Sequence, residues 1–327
     1  MSAEGGTKAV VAALLANTGI AVMKFIAFAL TGASSMLAEG IHSVADAGNQ
    51  VLLLVGGQRA RREATPQHPF GFGRERYIYS FLVAIVLFSV GGLFALYEAY
   101  HKAHEVHEGL PNELLDGRWW WVAVVVLLGA IVMETFSFRT AIVESNKSRN
   151  GASWAQFIRR AKSPELPVIL LEDFAALVGL VLALFGVVLS KVTDNGYYDV
   201  AGTAAIGLLL VTVAVVLAVE TKSLLLGESA TPQTQVRLRD RLEATPGIER
   251  VIHMKTLHLG PEELLVAVKV GVPRTASAAE VATSIDAAER AMREVEPTAA
   301  VIYVEPDIYS EAHEPDPRPA PPAAPAH

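Results

Sequence analysis

Six stretches, near Val10–Leu30, Met36–Gly56, Tyr77–Tyr100, Trp119–Phe138, Pro167–Ser190 and Val200–Val219, are apolar over about the twenty residues that cross a bilayer. Lipid offers the backbone no hydrogen-bond partner, so such stretches must close their own bonds as helices. The pattern predicts a membrane all-α six-helix bundle. Six buried helices of a soluble core are the alternative, but 52% hydrophobic and only 19% charged residues fit that poorly. Trp119, Trp120 and Trp121, and the Tyr197–Tyr198 pair, suit a headgroup-level aromatic belt at segment ends. "MSAEGGTK" lacks the basic start and short apolar core of a cleaved signal peptide, so none is expected.

The loops predict an orientation. Arg59, Arg61, Arg62, Arg74 and Arg76 lie between segments two and three. Arg139, Lys147, Arg149, Arg159, Arg160 and Lys162 lie between four and five. Only Lys102, Arg118 and Lys191 occupy the loops of the other side. Eleven cations against three place both termini in the cytoplasm. There is no cysteine, which excludes disulfides and thiolate chemistry, and a net charge of −7 argues against a nucleic-acid partner. The 4–5 loop mixes Trp154, Phe157 and Ile158 with Arg159, Arg160 and Lys162, a composition suited to an interfacial segment on anionic lipid.

After Gly227 the long apolar runs stop. "TPQTQVRLRDRLEATPG" reads as a helix capped by Thr231, with Pro232 in its first turn. "RVIHMKTLHLGPEELLVAVKVGV" reads as two strands around Gly260-Pro261. A capping box from Ser277 to Glu280 opens a helix running to Glu296, and "AAVIYVEP" is a last strand. The order α-β-β-α-β is that of a small, ferredoxin-like α+β domain. The expected division is a membrane domain over 1–228, a cytoplasmic α+β domain over 229–310 and a disordered Pro/Ala-rich tail over 311–327.

Polar residues inside the apolar segments are the functional signal. His42 and Asp46 are spaced i,i+4 and share a helix face, with Glu39 and Asn49 a turn away on either side. An imidazole and a carboxylate so placed can bind one divalent cation. The simpler reading is a structural hydrogen bond between helices. It weakens because segment five also carries ionisable residues, Glu172 and Asp173, read as lying mid-segment with Pro167 loosening the helix before them. Adjacent residues of a helix point about 100° apart, so the two acids cannot both aim at one point without distortion.

The "HxxxD" pair His42/Asp46, the "HPFGFGRERY" stretch after the second segment, six spans and an α-β-β-α-β tail together resemble the cation diffusion facilitator family of divalent-metal/proton antiporters. "LAEGIHSVADAGNQ", "LLEDFAAL" and "ETKSLLLGES" most resemble the branch containing a eukaryotic mitochondrial zinc transporter and its bacterial relatives. The resemblance implies a homodimer in membrane lipid, a bacterial inner-membrane location, and metal bound between helices two and five. It implies zinc as the transported substrate, exchanged for protons, with no organic cofactor. It makes His42, Asp46 and Asp173 metal ligands. The partner expected four residues before Asp173 is Ile169, which cannot ligate, and Glu172 is the candidate replacement. Glu172 could instead pair with Glu134 of the fourth segment as a proton-carrying site.

His68 matches a second, cytoplasmic metal position of the family, but Phe72 stands where its partner histidine would be. In the tail His253, His258, Glu305 and Asp307 are present, while the expected histidine positions fall on Ile252, Val268 and Tyr303, so the tail serves mainly to pair subunits. His101, His104 and His107 form a weaker exit-side candidate. Manganese, iron, cobalt, cadmium and nickel remain alternative ions. A non-transporting metal-sensing membrane scaffold is the alternative function. An intramembrane metalloenzyme is disfavoured by the lack of HExxH or a comparable motif.

Overall fold

The computed structural model describes residues 3–31, 34–110, 120–149 and 151–310. Trp119 and the Pro/Ala-rich stretch 311–327, both assigned from sequence, lie outside the described residues. The chain divides into two compact units, residues 1–59 with 75–222, and residues 60–74 with 223–327.

The first unit is helical. Its long helices are α1 (Ala3–Thr31), α2 (Ser34–Arg59), a third stretch over Glu75–His107, α5 (Trp120–Arg149), α7 (Glu165–Thr193) and α8 (Tyr197–Leu226). Five of these are long and apolar enough to cross a membrane; α2 is the exception. Its inward face carries Ser43, Asn49 and Gln50, all buried, while Ile41, Val44 and Val51 are exposed. That pattern is inside-out for a soluble helix and dilutes the apolarity of the 26-residue segment.

The third stretch is interrupted. α3 (Glu75–Val86) passes into seven residues of π-helix, Leu87–Leu93, before α4 (Phe94–His107). The apolar run Tyr77–Tyr100 predicts a helix, and the structure breaks its regularity. Such bulges shift the hydrogen-bond register and often mark functional sites. Here it presents Gly91 and Gly92. A β-carbon on Gly92 would lie 2.6 Å from Val211 Cγ2, so glycine lets this stretch approach α8 closely.

α2 packs between α1 and α3, and α5 packs against α1 and α7. The core they share with α8 includes the fully buried Ala13, Val83, Ile169 and Leu217. α7 starts at Glu165, so Pro167 sits in its first turn, where a missing N–H costs nothing. Proline therefore does not loosen the helix, and Glu172 and Asp173 lie about two turns from its start rather than at its middle. Its other end is closed by Asp194 in a left-handed conformation (φ 52°), which Asp tolerates better than most residues. Between α5 and α7 the short α6 (Trp154–Arg160) begins with a capping box, Ser153 with Gln156, and the Arg149 guanidinium stacks 4.5 Å over Trp154.

The second unit follows the expected α-β-β-α-β order: α9 (Pro232–Glu243), β1 (Arg250–Gly260), β2 (Glu263–Gly271), α10 (Ala278–Val295) and β3 (Val301–Asp307). The Thr231 hydroxyl accepts from Thr234 N, and Ser277 and Glu280 close a reciprocal capping box. β1 and β2 are antiparallel, and α10 carries the chain across so that β3 lies parallel to β2. Leu238, Leu242, Val266, Val270 and Met292 fill the core beneath the sheet. Residues 60–74 belong to this unit. A β-carbon on Gly73 would lie 2.9 Å from Leu259 O and 3.0 Å from Gly260 Cα, so backbone meets backbone there.

Candidate metal site

The helical unit contains a cavity of about 180 Å³. His42 and Asp46 reach it from α2, Glu172 from α7 and Glu134 from α5. His42 Nε2 lies 3.7 Å from Asp46 Oδ2, as the i,i+4 spacing requires, and both side chains are partly exposed to the cavity. The π-helical segment supplies room beside them: Gly91 lines the cavity, and a β-carbon there would be 3.6 Å from His42 Cε1.

Glu172 is held from α2. Asn49 Nδ2 donates to one carboxylate oxygen at 2.8 Å and Gln50 Nε2 to the other at 3.0 Å. Gln50 is oriented in turn by Asn17 of α1, whose Nδ2 approaches its Oε1 at 3.4 Å. Asp173 points another way: Ser137 Oγ of α5 donates to its Oδ2 at 2.7 Å, Glu134 lies beside it, and it is not among the described residues lining the cavity. The divergence of neighbouring helical side chains thus gives the two acids different surroundings, with Glu172 the one that reaches the cavity.

Among the described residues no three His, Asp or Glu side chains stand close enough together to hold a metal ion as they are. The arrangement gathers His42, Asp46, Glu172 and Glu134 around one space without closing them on a point. An imidazole–carboxylate set is one that can bind a divalent cation, and the same groups are those that bind protons.

Sequence reasoning missed Lys24 as a residue of this cavity and placed Lys102 in the loop after the third segment, whereas it lies in α4 and lines the cavity. Lys24, in the apolar stretch of α1, is buried; it pairs with Glu39 Oε2 at 3.3 Å and donates to Ser43 Oγ at 3.1 Å. Glu39 is thereby engaged with a lysine rather than free to support His42. Lys102 of α4 pairs with Asp199 Oδ2 of α8 at 2.9 Å and reaches Thr203 Oγ1 at 3.3 Å. A lysine within an apolar span is itself a signal, and Lys24 was legible on that ground.

The other candidates stand alone. His68 lies on the exposed turn of residues 65–68, its N–H donating to Thr65 Oγ1 and its ring 4.7 Å from Phe72. In the second unit Glu305 and Asp307 both pair with Lys269, at 3.0 and 3.2 Å, so a cation of the chain already occupies those acids. This pairing holds the Lys269 ammonium above its ordinary value. His101 and His104 each approach a glutamate of their own helix, Glu105 at 3.3 Å and Glu108 at 3.2 Å.

Long apolar helices around a cavity lined by ionisable side chains define a multi-pass membrane protein. The sequence profile of the cation efflux transmembrane domain matches residues 10–226. The chain belongs to the cation diffusion facilitator family, whose members are transporters of metal cations and not enzymes. It is similar to the proton-coupled zinc antiporter SLC30A9, mitochondrial, of Xenopus laevis, 32% identical over 80% of this chain and 45% of that protein. The protein of the same name from Homo sapiens is 32% identical over 79% of this chain and 44% of its own length. Metal tolerance protein C4 of Arabidopsis thaliana is 28% identical over 78% and 54%. The chain thus spans about half the length of these relatives or less. The animal relatives are mitochondrial by name and lend no support to the expected bacterial inner membrane.

Proposed function

We propose that this chain exports a divalent metal ion, with zinc foremost, in exchange for protons by alternating access. The observation that carries the reading is the single cavity shared by His42 and Asp46 of α2 and Glu172 of α7. An imidazole ligates only when neutral and a carboxylate only when ionised, so loading the metal expels protons and reloading protons expels the metal. If only the metal-loaded and proton-loaded forms cross between inward- and outward-facing states, exchange is obligatory, and an inward proton gradient drives metal out. Zinc is favoured because one imidazole with carboxylates is a donor set it accepts well; manganese, iron, cobalt, cadmium and nickel are the alternatives.

In this reading α2 is a sixth span whose polar face is its working face, and Asp46, His42 and Glu172 contact the ion. Asp173, held by Ser137, contacts it or orients Glu134. Residues 229–310 pair two copies of the chain, and both termini lie on the side of the eleven cations counted between the second and third and the fourth and fifth segments. The alternative, a metal-sensing scaffold that does not transport, is favoured by one observation: Ile169, where the family supplies a ligand, is fully buried in the apolar core.

The test is flux in proteoliposomes carrying the purified chain, with an entrapped pH indicator and a panel of divalent ions. Zinc uptake is expected to drive counter-movement of protons, and Asp46→Ala is expected to abolish both. Metal flux that neither drives nor follows proton movement refutes the antiport. Metal binding without any flux favours the scaffold.

A further inference from the structure

The ligands considered so far come from α2 and α7, but the cavity has a third acidic wall. Glu134 lines it from α5, 1% exposed in the midst of an apolar helix. Its Oε1 has no hydrogen-bond partner, an expensive state for a buried carboxylate oxygen. The charged groups it faces are acids: Asp173, Asp46 and Glu172. The nearby donors are committed elsewhere. Asn49 and Gln50 hold Glu172, Ser137 holds Asp173, and Lys24 is taken by Glu39 and Ser43. A buried carboxyl group with one oxygen unpaired, whose other contact is the acid Asp173, gains a counter-charge when a positive ion enters the cavity. Meanwhile α7 places Ile169, not a donor, one turn before Asp173.

We propose that Glu134 is a metal-contacting residue of the transport site, supplying from α5 the oxygen donor that α7 lacks at Ile169, and that it biases the site toward ions accepting oxygen-rich coordination. This inference rests on the proposed passage of a divalent cation through the cavity. With one imidazole from His42 and carboxylates from Asp46, Glu172 and Glu134, the donor set is mostly oxygen, which narrows the margin between zinc and manganese. Three side-chain torsions and a free oxygen let Glu134 swing onto the ion as it binds. That closure is consistent with no three ligands converging among the described residues beforehand.

The experiment is calorimetric titration of the purified full chain in lipid nanodiscs with Zn2+ and, separately, Mn2+. Glu134→Gln keeps the shape and the contact with Asp173 but lacks a charged oxygen donor. It is expected to weaken both metals at least tenfold with the thermal midpoint unchanged. Glu134→His is expected to restore Zn2+ but not Mn2+, raising the ratio of their affinities at least tenfold over wild type. If Glu134→Gln binds both metals as wild type does while His42→Ala abolishes binding, the inference is overturned and the transport reading stands. If Glu134→His loses both metals as Glu134→Gln does, with a lowered midpoint in each, Glu134 is a packing residue and the inference is again overturned. If His42→Ala and Asp46→Ala bind normally, the site lies elsewhere and both readings fall.

Discussion

Removing the Lys102 ammonium separates a buried ion pair from a surface one. Its Nζ lies 2.9 Å from Asp199 Oδ2, with the two side chains only 20% and 13% exposed. Exposed pairs contribute about 0.2–1 kcal/mol. Stranding one partner of a fully buried pair costs about 3–5 kcal/mol, because a charge is left without a counterion. The low exposure puts Lys102→Met nearer the second limit, and discounting for the residual solvent gives about 2–3 kcal/mol. At about 2–4 °C per kcal/mol for a chain of this class, the apparent thermal midpoint should fall by about 4–12 °C. It would be read by tryptophan fluorescence in detergent. Asp199→Asn added to Lys102→Met removes the stranded charge and leaves Ser190 Oγ accepting from the residue 199 backbone N–H, so the double variant should recover at least half of the loss. A single variant within about 1 °C of wild type, or a double variant no better than the single, would refute the claim that this pair is electrostatically sealed between α4 and α8.

Gly73→Val drives a β-carbon to within 3.0 Å of Gly260 Cα, where backbone cannot yield as a side-chain tip can; a cost of about 1–3 kcal/mol should appear as faster amide exchange along β1 and β2. Leu242→Ala opens a cavity under the sheet at a fully buried position and should lower the denaturant midpoint of the second unit by an amount equivalent to about 2–5 kcal/mol. The backbone N–H of Ser277, and then its hydroxyl, hold the Glu280 carboxyl below its ordinary value of 4.5. A carboxylate depressed in the folded state stabilises above its unfolded value and loses that effect as the pH falls through the folded one. The difference in midpoint between wild type and Ser277→Ala should therefore be present at neutral pH and shrink below 4.5.

What the sequence made legible follows from what has a period. Runs of apolar residues predict six spans, and five of them fall on helices long and apolar enough to cross a membrane. The i,i+4 rule placed His42 against Asp46, and Thr231 and Ser277 marked the starts of α9 and α10 because caps act within one turn. α2 was found as a helix but lacks the apolarity of the others, since its polar residues face inward. The sequence could say that Glu172 and Asp173 diverge but not which of them meets the cavity; Asn49 and Gln50, more than a hundred residues away, settle that. The π-helical stretch Leu87–Leu93 leaves no spacing of its own in the chain. Lys24 was legible as a charge inside an apolar span, and its partner Glu39 lies fifteen residues on in α2.

The contact of Gly73 with Gly260 bears on how this protein can be cut and recombined. Residues 60–74 are contributed by the loop between α2 and α3, yet they are part of the fold that begins again at residue 223. The C-terminal unit is therefore discontinuous, and no single excision point releases it intact. A fragment beginning after α8 leaves behind a piece of its own surface and exposes the bare backbone of Gly260. A chimera that exchanges tails between relatives must carry the "HPFGFG" loop along with the tail.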